Sequence, residues 1–165
     1  MRKTFIDLSL DEPRRKTAAT VGVDAMTVAT VDHVTRELRT FLTFQSGVAT
    51  AALDLYRDVF EDFDLIDVEH YGPNEGGPEG TIKVARFRLA DSDFSCADSP
   101  ITHPWGFTPA VSLWIECTDE VEQQRIFDRL GEGGNVYMPL DNYGFSTRFG
   151  WVGDRFGVTW QLNLQ

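Results

Sequence analysis

The chain has 165 residues, 42% hydrophobic, 12% aromatic and 25% charged, the usage of one ordinary folded domain; a disordered chain and a multidomain enzyme are excluded. A formal net charge of −11 would repel a phosphate backbone or an anionic membrane surface, so neither nucleic acid nor membrane is expected as a partner. Cys96 and Cys117 lack CxxC spacing and are too few for a disulfide framework, the N-terminus has no apolar h-region, and no run approaches the ~18 apolar residues of a span, so a cytoplasmic location is expected.

Residues 1 to 38 balance six basic against six acidic side chains, which leaves the acidity to the rest. Asp11-Glu12-Pro13 interrupts this leader, which reads as a loosely attached arm with a short strand near Ala25 to Val34. The domain is expected over residues 39–165. RTFLTFQ opens it as a strand, and Ser46-Gly47 turns the chain into a helix. There Ala52, Leu53, Tyr56, Val59, Phe60 and Phe63 recur at three- and four-residue spacing, with Asp54, Arg57, Asp58 and Glu61 opposite. DLIDVEHY, TIKVARFRLA after the turn-rich PNEGGPEG, and DFSCAD after Ala90-Asp91-Ser92 supply three more strands. The first module, residues 39–100, thus reads βαβββ.

The same order returns over residues 107–165. AVSLWIEC is a strand, Thr118 is the expected N-cap, Val121, Ile126, Phe127 and Leu130 form the apolar stripe, and Gly131 ends the helix. NVYMPL, STRFGWVGD and FGVTWQLNL follow as strands, with a turn at Asp141 to Gly144. Leu55-Tyr56 echoes Ile126-Phe127, Arg86-Phe87 echoes Arg148-Phe149, and Phe94 and Phe156 lie equally far beyond those pairs, which points to an internal duplication. The fold class is α+β: two tandem βαβββ modules in a curved mixed sheet.

Two such units side by side predict a trough between them, the shape of a small-molecule pocket. Strand aromatics are the natural lining, with Phe44, Trp114 and Trp151 among those on predicted strands. Arg86 and Arg148, at echoing places, are candidates for gripping an anionic group if they point inward, and outward ion pairing is the alternative. Glu116 and Asp98 are the carboxylates placed on inward strand ends.

LTFQSGVATAALDLYRDVF, EHYGPNEGGPEGTIKVARFRL, FTPAV from Phe107, YMPLD from Tyr137, YGFS from Tyr143 and DRFGVTWQ from Asp154 together resemble the vicinal oxygen chelate superfamily of glyoxalases, bleomycin-resistance proteins and extradiol dioxygenases. The nearer likeness is to its PhnB-like branch, whose domain carries the name 3-demethylubiquinone-9 3-methyltransferase; it covers residues 39–165 and leaves out the leader. The resemblance implies the glyoxalase/bleomycin resistance/dioxygenase fold and a homodimer. Methyl transfer from S-adenosylmethionine is not expected, because no Gly-x-Gly follows a strand.

Enzymes of that superfamily hold a divalent ion in the trough with His, Gln or Glu. By the resemblance, ligands should stand near Thr40 or Phe41 and near Val111 or Ser112, where no good donor occurs. Gln161 falls where a Glu is usual, and Val84 where relatives of the branch have a His. His33, His70 and His103 show neither HxH nor HxxxH spacing. No metal and no cofactor are therefore expected. The leading reading is a small-molecule binding protein whose ligand, aromatic or apolar, meets Phe44, Arg86, Trp114, Glu116, Arg148, Trp151 and Gln161. The alternative is a metal-dependent lyase, isomerase or dioxygenase using Gln161 and Glu116.

Overall fold

A computed structural model describes residues 36–165. Residues 1–35 of the arm, with its expected strand near Ala25 to Val34 and His33, lie outside them. β1 (Thr40–Phe44), α1 (Ala49–Val59), β2 (Asp64–His70), β3 (Ile82–Leu89) and β4 (Ser92–Asp98) form the first module. β5 (Leu113–Glu116), α2 (Glu120–Gly131), β6 (Asn135–Asp141), β7 (Arg148–Gly153) and β8 (Thr159–Leu164) form the second. Each makes a four-stranded mixed sheet, in the orders β1-β4-β3-β2 and β5-β8-β7-β6. β1 runs parallel to β4 and β5 parallel to β8, while the other pairs are antiparallel. This is the tandem βαβββ architecture expected from the sequence.

Because side chains alternate along a strand, each sheet has a helix-bearing face and an outward face. Leu42, Phe44, Ala85, Phe87, Phe94 and Cys96 share the first helix-bearing face through direct cross-strand pairing, and all are buried. Leu113, Ile115, Trp160, Leu162, Gly150 and Val152 share the second. Gly150 is required there: a Cβ would stand 2.8 Å from the Phe127 ring of α2 and 2.7 Å from Leu140.

The start of α2 differs by one residue from expectation. Asp119 is the N-cap, its Oδ1 accepting from Glu122 N at 2.8 Å, while the Glu122 carboxylate reaches back to Thr118 N at 2.6 Å. Thr118 thus precedes the cap, and the shift turns Val121 outward, 79% exposed. Its expected place is taken by Gln123, whose Nε2 donates to the carbonyls of Leu162 and Arg148. Phe156 to Val158 belong to the turn before β8, where Gly157 has φ +93°.

The two modules meet through their helix-bearing faces. Tyr56 and Phe60 from the first each pack a ring 5.2 Å from Trp160 of the second, Arg125 of α2 donates to Val59 O at the end of α1, and Arg129 pairs with Asp58. One continuous core results. The trough expected between the units is therefore largely packed with side chains, and a cavity of about 210 Å³ lined by Thr40, Leu42, Phe107, Val111, Leu113 and Val158 remains between them. One 11- or 12-residue helix covers only part of a sheet, and each module completes its cover with the other. Phe44, expected to line a ligand, is 1% exposed and packs edge-on against Phe107 and Phe156 in this core.

Candidate functional site

With most of the helix-bearing faces joined, the outward faces carry several of the strand side chains singled out in the sequence. On the second sheet, Trp114 of β5 pairs with Gln161 of β8, which pairs with Trp151 of β7, which pairs with Met138 of β6. The next rung in the same direction reads Glu116, Asn163, Phe149, Asp141. Parallel β5–β8 and antiparallel β8–β7 registers thus bring Trp114, Glu116, Trp151 and Gln161, singled out in the sequence, onto one face in two adjacent rungs.

Two amides, Gln161 and Asn163, lie in the middle of this face with aromatic rings on either side. Trp114 leans over β8 to lie 5.7 Å from Phe149, Phe145 meets Phe149 edge-on at 5.1 Å, and Tyr143 stacks on Phe145 at 6.3 Å. On the other side Tyr137 lies 5.2 Å from Trp151. Tyr143 is held in place by its hydroxyl, which donates to Pro139 O at 2.9 Å. Both Glu116 oxygens are engaged: Oε1 accepts from Trp114 Nε1 at 2.7 Å and Oε2 from Asn163 Nδ2 at 2.6 Å. Trp151 Nε1 is buried without an acceptor among the described residues. Phe149, Asn163, Tyr137, Tyr143 and Phe145 join these side chains without having been singled out in the sequence. The alternation Phe149/Trp151 and Gln161/Asn163 is a period-two signal that could have found the first two.

Arg86 lies on the outward face of the first sheet, opposite Asp67, to whose Oδ2 its Nε donates at 2.7 Å. The guanidinium holds the Asp67 carboxyl below its usual range. Arg148 stands apart from these residues, in register with Leu164 on the helix-bearing face of the second sheet, and its guanidinium donates to Glu120 O at 3.1 Å and to the Gln124 side chain. The echo Arg86-Phe87 and Arg148-Phe149 is offset by one residue in the strands, and a one-residue offset reverses the face of every side chain. Asp98 is also structural: buried, it accepts from Ala49 N at 2.9 Å and Ile82 N at 3.0 Å, anchoring the start of α1. Cys96 and Cys117 are free and buried, and burial first, then neighbouring carboxylates, push both thiols up to about 12.

The donors do not suit a divalent ion. Of the positions where the superfamily places ligands, Phe41 and Val84 carry hydrocarbon, Ser112 Oγ lies 2.9 Å from Thr159 Oγ1, and Gln161 offers one neutral oxygen. The Glu116 oxygens already accept from two side chains, and among the described residues no three His, Cys, Asp or Glu gather to hold a metal. His103 Nε2 instead lies 2.8 Å from Ser99 Oγ with its ring stacked on Trp105, and His70 is exposed at the end of β2.

The family model described as 3-demethylubiquinone-9 3-methyltransferase matches residues 36–163. The PhnB protein from Bacillus cereus is 39% identical, with a TM-score of 0.75 over 79% of this chain and 100% of that one. Protein PA1353 from Pseudomonas aeruginosa is 25% identical, with a TM-score of 0.68 over 79% of this chain and 98% of that one. The Escherichia coli protein YjdN is 29% identical over 87 residues, 53% of this chain; the chain spans only 58% of that relative's length.

Proposed function

Since the chain belongs to the 3-demethylubiquinone-9 3-methyltransferase family, the PhnB-like branch of the vicinal oxygen chelate superfamily, we propose that it binds a small planar molecule on the outward face of its second sheet and carries out no methyl transfer. The observation that carries this reading is the rung Trp114–Gln161–Trp151, two indoles flanking an amide whose side chain has no hydrogen bond to the described residues. Indoles offer broad apolar contact, Gln161 offers an NH2 donor group and a carbonyl acceptor, and a ligand oxygen would satisfy the buried Nε1–H of Trp151. S-adenosylmethionine chemistry has no support in the fold: both sheets are mixed, and the β1–α1 turn carries the single Gly47 where a dinucleotide-type turn needs Gly-x-Gly. The donor set likewise supports binding over the metal-dependent alternative.

A homodimer is part of the proposal. Phe41 and Ile66 on one outward face and Trp114, Tyr137 and Phe145 on the other are exposed, and a second copy laid over them would remove apolar surface from water and enclose the ligand. Titration of the purified full chain with flat aromatic and quinone-like compounds tests the reading. Saturable quenching of tryptophan fluorescence with a thermal shift is expected, and it should be lost in Trp151→Ala. A panel giving neither quenching nor shift overturns it. One tightly held equivalent of zinc, nickel, manganese or iron in untagged protein would favour the enzyme alternative instead, and light scattering should read twice the chain mass.

A further inference from the structure

Resting on the binding role just proposed, we infer that the outward face of the second sheet selects an organic cation: a protonated or quaternary amine carrying an aromatic ring, with its charged end at Glu116. Glu116 is held by two neutral donors, the Trp114 indole and the Asn163 amide. They fix the carboxylate in place without neutralising it, and among the described residues no Lys, Arg or His forms an ion pair with it. Asp141 adds a second carboxylate at the far end of the same rung, opposite Phe149. The two rungs contain no basic side chain.

The surroundings of that charge decide which cation fits. Trp114, 49% exposed, shows its ring to solvent beside the carboxylate, and Phe145 and Tyr143 continue the aromatic surface over the buried Phe149. Aromatic faces attract diffuse organic ammonium groups, whose poor hydration makes them easy to strip of water. A hard metal ion would need the oxygen lone pairs that Trp114 and Asn163 occupy. An anion finds no free partner on this sheet face, and on the other sheet Arg86 and Arg88 are already paired with Asp67 and Asp93. The chain's net charge of −11 steers cations toward the protein as a whole.

The test compares three probes of similar shape on the native full chain, read by tryptophan fluorescence: benzyltrimethylammonium, its neutral isostere neopentylbenzene, and phenylmethanesulfonate. Benzyltrimethylammonium should quench saturably and bind about 10-fold or more tighter than the neutral isostere, with added salt weakening the cation alone. In Glu116→Gln the cation should fall to the level of the isostere. The comparison of probes and the salt dependence on the unaltered chain stand independently of how that variant folds. If the isostere or the sulfonate binds as tightly as the cation, or Glu116→Gln leaves the preference intact, the charge selection is wrong while the aromatic site stands. If none of the three quenches and the aromatic panel is also silent, the binding reading falls with it.

Discussion

The Tyr56 hydroxyl donates to Asp154 Oδ2 at 2.9 Å, tying α1 of the first module to the turn before β8 of the second. Trp160 Nε1 donates to the same oxygen at 3.1 Å, and Oδ1 accepts from Phe156 N at 2.9 Å and Val158 N at 3.1 Å. Burial raises the Asp154 carboxyl above its ordinary value, and these four donors pull against that rise. Tyr56→Phe removes one donor from a buried acceptor and should cost about 1–3 kcal/mol, read as a lower urea midpoint at unchanged m-value. Asp154→Asn should cost more, because its NH2 group faces two backbone N–H donors in one orientation and the Trp160 N–H in the other. An Asp154→Asn protein as stable as the parent contradicts this account of how the modules are clasped.

Gly150 marks where α2 presses closest on its sheet. In Gly150→Ala the new methyl meets Phe127 and Leu140 inside van der Waals distance, so α2 or the β6 side chain must retreat. Overpacking of this kind should destabilise by about 1–3 kcal/mol. The urea midpoint measures it, and Phe127→Leu in the same background should restore part of the loss by vacating the space. A neutral Gly150→Ala would mean that α2 sits farther from β7 than described.

Arg86 and Arg148 separate the two sides of the molecule. Arg148→Ala should lower stability, since the guanidinium ties β7 to the first turn of α2, and should leave the affinity for a quenching aromatic probe unchanged. Gln161→Ala, on the opposite face, should do the reverse. If Arg148→Ala weakens the probe as much as Gln161→Ala, the facing of β7 is wrong.

That pair also shows what was readable in the chain and what was not. Element order and the repeat were readable because apolar period and turn residues are local properties: the stripe of Ala52, Leu53, Tyr56 and Val59 and the turn at Asp141 to Gly144 need no knowledge of partners. The face of a strand residue depends on register. Arg-Phe occurs in both β3 and β7, yet cross-strand pairing sends Arg86 outward and Arg148 inward. Phe44 shows the same dependence, since a strand phenylalanine suits a ligand wall and a core equally well until the side its helix covers is known. Gln123 shows the opposite limit: a polar residue buried in a helix face is understood only once the carbonyls of Leu162 and Arg148 are seen above it.

The two thiols give a pH test of the shared core. Burial raises Cys96 and Cys117 to about 12, whereas an unfolded thiol titrates near about 8.5. A group whose folded value lies above its unfolded value stabilises the fold fully below the lower value and loses that contribution as pH rises through the higher one. The urea midpoint should therefore decline from about pH 8.5 upward, as the unfolded chain releases thiol protons that the folded chain retains. Tyr56, also raised by burial beside Asp154, adds to the decline from about pH 10, so the Cys96→Ala, Cys117→Ala double variant should flatten the earlier part of the curve and Tyr56→Phe the later part. Thiol labelling near neutral pH should be negligible in the native chain and reach two equivalents in denaturant. Rapid labelling of either cysteine in the native chain would place that thiol outside the core and remove the basis for the predicted decline.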